Sequence, residues 1–443
     1  MRNTNTLNIL LVGMTILSIS GCATQVWIPD WKTSSSINTP RAGTASVQVK
    51  DKIYLIAGVD GNNFLNTTEY AQIQKNGSLG PWQLGPKLNE ERGFIDAVVH
   101  GDYVYVVGGG NGPYGQHLLR SVERARIQPD GTLGQWEKEK NGMVVARRCS
   151  KIIVTDKALY SFGGFGGVLL DSVEYAEFQP DGSLGEWKLD PNVMTTQRYI
   201  NSVKKEGDVF LVIGGHDQSK GVGITDVEWS RPAADGSLQK WQATTPMRQG
   251  RYALSTASYG DYLYALGGLS GAEYLDSIER TKVGKNGQLE PWQPVTAHLD
   301  QTRAYFSTID YNDTLYVIAG TNREGYISSV IYANRNANGD VGYWGSKEEA
   351  AAAKERHAQR VVAQSLLPHE GVVKEVLQTQ SYTYANVEST KDGLVWLAGP
   401  KIADLKPGNS LGYSEGVGMQ DFFSKELQRN FPMVIFVGQM QKK

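Results

Sequence analysis

A unit of about fifty residues occurs six times in the middle of this chain. Each copy contains an apolar strand that ends in two glycines or in alanine–glycine, as in VYVVGG and IYLIAG. An arginine lies sixteen residues before the first member of every pair. These residues are Arg41, Arg92, Arg147, Arg198, Arg251 and Arg303. A constant spacing indicates one supersecondary unit that buries its apolar faces by stacking on its neighbours.

The second half of the unit is equally regular and ends in a tryptophan. The series is Trp82, Trp136, Trp187, Trp241, Trp292 and Trp344. A glutamate lies thirteen residues before the first five of them, whereas the sixth copy has Ile331 there. Asn-Gly or Asp-Gly, a strong signal for a two-residue hairpin turn, lies between two short strands. Each unit is therefore predicted to form four strands, with the glycine pair after the second.

Composition agrees with an all-β chain and excludes several functions. The 443 residues include 50 glycines, 22 tyrosines and 10 tryptophans, which suits a fold rich in strands and turns. The formal net charge of −2 gives no reason to expect nucleic acid binding. Two cysteines and six histidines without ligand spacing predict neither a metal site nor a cofactor.

The period, the glycine pair, the arginine before strand 1 and the late tryptophan resemble the kelch repeat over about residues 41–345. The resemblance implies a six-bladed β-propeller. How the ring closes stays open. Trp31 lies ten residues before Arg41, a spacing that also occurs between blades, so either the segment 27–40 or the segment around Trp344 can supply the last outer strand.

Residues common to every blade are expected to stabilise the blades, while residues that differ between blades are better site candidates. Connections between strands 2 and 3, and between blades, vary in length and share one face of the propeller. This face is where binding is expected. Aromatic and polar residues there suit a protein or glycan ligand. The candidates are Phe94, His117, Arg148, Tyr199, His216, Asp217, Tyr252, Tyr305 and Arg323. Cys149 is expected to be a small buried residue.

The N-terminus is typical of an exported lipoprotein. One positive charge and an apolar run precede Ile19-Ser20-Gly21-Cys22, which resembles a bacterial lipobox. The resemblance implies a signal peptide at 1–22, acyl chains such as palmitate on Cys22, and a tether at 23–40. Ala23 follows the cysteine where inner-membrane lipoproteins commonly have aspartate, which favours the outer membrane.

A helix over 346–368 is predicted from the capping box Ser346–Glu349 and the alanine-rich run before Pro368. Strand patterns then continue over 369–443. The motifs at Gly371-x-Val373, Tyr382-Thr-Tyr384, Val395-Trp396 and Lys406-Pro-Gly408 resemble a small OB-fold family. Its members are exported bacterial proteins found with periplasmic nitrite reductase and multihaem cytochromes. The resemblance implies an accessory role in the envelope, with cytochromes as partners.

Two functions follow from these observations. The first is a lipid-anchored binding or scaffold protein of the cell envelope that uses the variable face of the propeller. The alternative is a sugar mutarotase or epimerase, because six-bladed kelch proteins include a periplasmic sialic-acid mutarotase. That reaction needs only a positioned acid and base, so no sequence motif would reveal it.

Overall fold

The computed structural model describes residues 25–61, 63–217, 223–365, 367–389 and 393–443. Two short strands, β1 (Val26–Ile28) and β2 (Lys32–Ser34), precede the repeats. Blade 1 follows as β3 (Ala45–Val49), β4 (Lys52–Val59), β5 (Phe64–Gln72) and β6 (Gln83–Leu84). Blade 2 comprises β7 (Asp96–His100), β8 (Tyr103–Val107), β9 (Gly110–Asn111), a 3₁₀ turn (Pro113–Gly115), β10 (His117–Leu118), β11 (Val122–Ile127) and β12 (Leu133–Lys138). Blade 3 comprises β13 (Lys151–Val154), β14 (Ala158–Phe162), β15 (Val173–Glu177) and β16 (Lys188–Leu189).

The remaining blades repeat this order. Blade 4 comprises β17 (Ser202–Glu206), β18 (Val209–Ile213), β19 (Val227–Ser230) and β20 (Gln242–Ala243). Blade 5 comprises β21 (Ser255–Tyr259), β22 (Tyr262–Leu266), β23 (Leu269–Ser270), β24 (Glu273–Tyr274), β25 (Ile278–Lys282) and β26 (Gln293–Pro294). Blade 6 comprises β27 (Ser307–Tyr311), β28 (Thr314–Ile318), β29 (Thr321–Asn322), β30 (Gly325–Tyr326), β31 (Val330–Arg335) and β32 (Val341–Gly345). The prediction of a six-bladed propeller is confirmed.

Neighbouring blades are joined by a repeated tyrosine. In five blades, a tyrosine three residues before the pair donates its hydroxyl to a carbonyl in the Asn-Gly or Asp-Gly turn of the next blade, for example from Tyr54 to Gly131 at 2.8 Å and from Tyr316 to Gly77 at 2.7 Å. Blade 4 has Leu211 at this position. There the ring of Trp229 covers the Asn-Gly turn of blade 5 instead. The contact is so close that a β-carbon on Gly287, in that turn, would lie 2.8 Å from the tryptophan ring.

The N-terminal segment closes the ring, which settles the open choice between Trp31 and Trp344. β2 pairs with β31 so that Thr33 lies opposite Ile331. In blade 1, Leu84 lies opposite Glu69 in the same register. Leu84 comes two residues after Trp82, just as Thr33 comes two residues after Trp31. Trp31 therefore occupies the tryptophan position of blade 6 and is 6% exposed, whereas Trp344 is 56% exposed.

Two sequence predictions are corrected by this pairing. Trp344 does not serve as the sixth structural tryptophan, because β32 pairs with only the last two residues of β31 before it turns to pair with β1. Residues 26–34 belong to the last blade rather than to a tether. The last blade therefore combines strands from the first and the last part of the propeller, which links these two parts without a covalent bond.

Helix α1 (Lys347–Ser365) begins at the predicted capping box, in which Ser346 and Glu349 exchange hydrogen bonds of 2.7 and 3.2 Å. Within the described ranges, no helix combines the length and apolar character needed to cross a membrane. Arg356 on α1 pairs with Asp30 at 2.8 Å, and Arg360 donates to the carbonyl of Leu299 at 2.9 Å. The helix is therefore attached to the propeller.

The C-terminal domain is a seven-stranded sheet. Its strands are β33 (His369–Gln378), β34 (Thr383–Ser389), β35 (Gly393–Gly399), β36 (Ser410–Tyr413), β37 (Gly416–Ser424), β38 (Arg429–Val437) and β39 (Met440–Lys442). β33 pairs with β34 and β36, while β35 runs parallel to β38 and β37 pairs with β38. The strand order is β37-β38-β35-β34-β33-β36-β39, so the C-terminal domain is rich in strands as predicted.

Candidate functional site

The repeated arginines are buried within the blades. Arg198 is representative: its Nη2 contacts Glu228 Oε1 at 2.7 Å, and its Nη1 donates to the carbonyl of Gly214, sixteen residues later, at 3.0 Å. Glu228 also accepts the backbone N–H of Thr195 at 2.8 Å. Burial lowers the pKa of the arginine, and the glutamate opposes that shift. The pair thus satisfies charges that would be costly to leave alone inside the protein.

Blade 6 keeps its arginine although it has no glutamate. Arg303 contacts Asp300, three residues earlier, through Nε at 3.0 Å and Nη2 at 2.8 Å. The space of the missing glutamate is taken by Ile331, which packs against Trp31 and Leu299 in the apolar core. A local aspartate therefore replaces the cross-strand partner in the blade that the N-terminal strand completes.

A closed ring of backbone hydrogen bonds surrounds the propeller axis, two residues after each repeated arginine. Each residue donates its N–H to the carbonyl of its counterpart in the preceding blade, over distances from 2.7 to 3.4 Å. All six have left-handed backbone angles, with φ between 52° and 61°. We call them the axial ring: Gly43, Phe94, Cys149, Ile200, Ala253 and Tyr305. Five of them are not glycine, so this conformation costs roughly 1–2 kcal/mol at each.

Each blade presents a second pair of residues just outside the axial ring. The residue after each arginine forms a β-bridge with the residue after each glycine pair. In blades 3, 4 and 5 these pairs include large side chains, such as Tyr199 with His216. In blades 6, 1 and 2 they are small, such as Ala42 with Val59 and Gly93 with Gly110. The mouth of the propeller is therefore asymmetric although its backbone is regular.

Large side chains from the axial ring and from the pairs outside it form a continuous series of aromatic and cation–π contacts around the mouth. We call this series the aromatic crown. Its members are Tyr305, Phe94, Arg148, Phe165, Tyr199, His216 and Tyr252. The Tyr305 and Phe94 ring centroids are 5.6 Å apart, and those of His216 and Tyr252 are 4.9 Å apart. The guanidinium of Arg148 lies 5.8 Å from the Phe94 centroid and 5.4 Å from that of Phe165. This geometry allows cation–π attraction on both sides of Arg148.

The environment of the crown keeps its titratable groups neutral. Burial lowers the pKa of His216, with partial opposition from Asp217, so the neutral imidazole is favoured. Burial also raises the pKa of Tyr252 and of Tyr305. In the axial ring, burial raises the pKa of the Cys149 thiol to about 12, so this thiol stays protonated at neutral pH. Arg148 is thus the one fixed charge of the crown.

The channel along the propeller axis is narrow below the axial ring. Closer to the hairpin face, polar side chains fill it. The cavity beneath the ring has a volume of about 40 Å³, which holds a few water molecules but not a sugar ring. Toward the hairpin face, Asp310 contacts Lys204 at 2.9 Å and pairs with the buried Arg335. These cations hold the pKa of Asp310 low although burial opposes that shift. A ligand is therefore expected to contact the crown from the outer side.

The structure brings six predicted site residues into the crown and leaves three outside it. His117 is exposed on the β9–β10 hairpin, where its Nδ1 lies 2.7 Å from Asn111 Oδ1. Asp217 lies beside His216, and Arg323 is exposed on the blade 6 loop. Cys22 lies outside the described residues. Sequence reasoning missed Phe165, although its place directly after a glycine pair matches that of His216.

Within the described part of the chain, no group of three or more His, Cys, Asp or Glu side chains could hold a metal ion. The crown itself offers aromatic faces, one guanidinium and one imidazole. Such a surface can bind by stacking and hydrogen bonding.

Comparison with known proteins supports the fold. Residues 40–70 match the Kelch motif, which corresponds to the start of blade 1. The solved structure of YjhT aligns with 71% of this chain and 99% of its own length, with a TM-score of 0.55 and 16% sequence identity. No curated protein matches the sequence. Together the motif and the structural similarity support a kelch-type β-propeller.

Proposed function

We propose that this protein is a binding protein of the cell envelope that recognises a protein or glycan ligand through its aromatic crown. The observation that carries the proposal is the convergence of unlike side chains on a regular scaffold. Arg148, Tyr199 and Tyr252 occupy the same position in three successive blades. Their bridge partners are Phe165, His216 and Leu269, so the three blades present three different pairs of side chains. Residues that only stabilise the blades, such as the buried arginines, are the same in every blade.

The chemistry of the crown suits a ligand that has apolar faces and hydrogen-bonding groups. Sugar rings and aromatic peptide side chains both stack on tyrosine and phenylalanine rings, which supply large contact areas with little loss of conformational entropy. Arg148 adds a fixed donor for a carboxylate or hydroxyl group. Glycan and peptide arrays probed with the full-length protein in detergent would identify which class of ligand binds.

Replacing Tyr199 by alanine is expected to weaken binding to the best array ligand by about tenfold, because one stacking face of the crown is lost. The melting temperature should change little, since Tyr199 is only partly buried. Titration of the wild type and the variant with the same immobilised ligand provides the measurement. Equal affinities would place the binding site elsewhere.

Membrane anchoring through lipid on Cys22 is part of the proposal, supported by the lipobox-like sequence Ile19-Ser20-Gly21-Cys22. An outer-membrane location is supported by Ala23, and the OB-like domain supports an accessory role beside envelope cytochromes. Several acyl chains hold a protein firmly on a bilayer.

The variant Cys22→Ser should move the protein from the membrane fraction to the soluble fraction after export. A Ser20→Thr variant, which leaves the cysteine in place, is the control. Membrane association of Cys22→Ser after a high-salt wash would show that the anchor is another part of the chain.

The sugar mutarotase is the second candidate because the crown contains a neutral imidazole that can act as a base. His216, which burial keeps neutral, adjoins Tyr252, and a neutral imidazole can accept a proton near pH 7. Polarimetry with freshly dissolved N-acetylneuraminic acid distinguishes the two candidates. An enzyme would accelerate the change in optical rotation, and His216→Ala would abolish that acceleration.

A further inference from the structure

The C-terminal domain approaches the mouth face of the propeller at Gly438. A β-carbon at this residue would collide with Nη2 of Arg323 and would lie 3.4 Å from the Cα of Glu273. Arg323 and Glu273 lie in the mouth-side loops of blades 6 and 5. Gly438 is not among the glycines with left-handed backbone angles. The two domains therefore approach closely at Gly438, and a larger side chain there would displace the Arg323 guanidinium and press on the blade 5 loop.

At this contact, Arg323 of the blade 6 loop interacts with the blade 5 loop and with the C-terminal domain. It donates to the carbonyl of Ala272 in the blade 5 loop at 3.3 Å. Although part of its side chain is exposed, desolvation of the guanidinium at this contact lowers its pKa, while Glu273 of the propeller and Glu415 of the C-terminal domain oppose the shift. One carboxylate from each domain therefore interacts favourably with this cation over a longer distance than an ion pair. Such an arrangement favours docking and makes it sensitive to salt.

A second residue of the C-terminal domain lies on the side of the crown: Tyr382, in the turn between β33 and β34. This turn is fixed because Thr379 N donates to the Tyr382 carbonyl at 2.9 Å and Tyr382 N donates to Thr379 Oγ1 at 2.9 Å. The Tyr382 ring packs edge-on against Phe436 at 5.8 Å. Tyr382 is also near enough to Tyr252 to contribute to the raised pKa of that crown residue.

We propose that the C-terminal domain forms a second wall of the binding site, with Tyr382 facing the blade 5 side of the crown and Gly438 setting the docked position. This inference rests on the proposed function of the crown and adds to it a binding residue from another domain. The ligand enters from blades 1 and 2, where the mouth pairs are Ala42 with Val59 and Gly93 with Gly110, and is held between the crown and Tyr382.

Docking is tested first, without any ligand. Gly438→Leu places a side chain in the contact with Arg323, and Arg323→Glu sets three carboxylates against one another. Both variants should release the domain, which would appear as a larger radius of gyration in small-angle X-ray scattering and as faster proteolysis at α1. Gly418→Ala is the matched control, because a β-carbon there meets only Met433 Sδ, at 3.3 Å. A wild-type scattering profile for both releasing variants would overturn the docking contact.

The second wall is tested with the ligand identified on the arrays. Tyr382→Ala, Gly438→Leu and Arg323→Glu should each weaken binding by about tenfold, whereas Gly418→Ala should bind like the wild type. Normal affinity in Tyr382→Ala and Arg323→Glu, combined with a loss in Tyr199→Ala, would overturn the second wall and leave the crown as the site. Normal affinity in Tyr199→Ala would contradict the crown itself.

Discussion

Replacing Arg198 by alanine is expected to lower the free energy of unfolding by about 3–5 kcal/mol, because Glu228 would remain as an uncompensated buried charge. The melting temperature should fall by roughly 10 °C. Differential scanning calorimetry of the full-length protein provides the measurement. This loss should exceed that of any substitution at the exposed rim of the mouth.

Two further variants show whether the charge is responsible. Arg126→Ala removes an exposed arginine and should change the free energy of unfolding by less than about 0.5 kcal/mol. The double variant Arg198→Met/Glu228→Leu removes both charges and should regain much of the lost stability. If the double variant is less stable than Arg198→Ala alone, the buried charge is not the main cause of the loss.

Trp31→Ala is expected to cost about 3–5 kcal/mol, whereas Trp344→Ala should cost less than about 1 kcal/mol. Trp31 is 6% exposed within the core of the last blades, and Trp344 is 56% exposed. Chemical unfolding followed by near-ultraviolet circular dichroism compares the two variants. Equal losses, or a larger loss at Trp344, would show that the N-terminal strand does not close the ring.

The regular features of the fold could be predicted from the sequence because every blade repeats them. Constant spacings identified the four strands and the repeated arginines, and the connections that vary in length identified the variable face. Closure could not be decided, since Trp31 and Trp344 both have permitted spacings. The structure decides it through the register of Thr33 opposite Ile331, which sequence alone does not reveal.

The axial ring could not be predicted for a different reason. A left-handed backbone usually reveals itself through glycine, but only Gly43 of the six positions is glycine. Hydrogen bonds between blades hold residues such as Ile200 and Tyr305 in this conformation. The candidate site was partly predictable, because aromatic residues next to the repeated arginines differ from blade to blade. The contribution of Tyr382 depends on how two domains meet, which no repeat pattern contains.

Histidines on opposite faces of the propeller provide the most direct test of the crown as the binding site. His216 lies in the crown, while His100 lies at the hairpin face, stacked on Phe178 at 3.7 Å. Both are partly buried. The affinities of His216→Ala and His100→Ala for the array ligand are compared with that of the wild type. We predict a loss of about tenfold for His216→Ala and no change for His100→Ala. The opposite result would contradict the assignment of binding to the mouth.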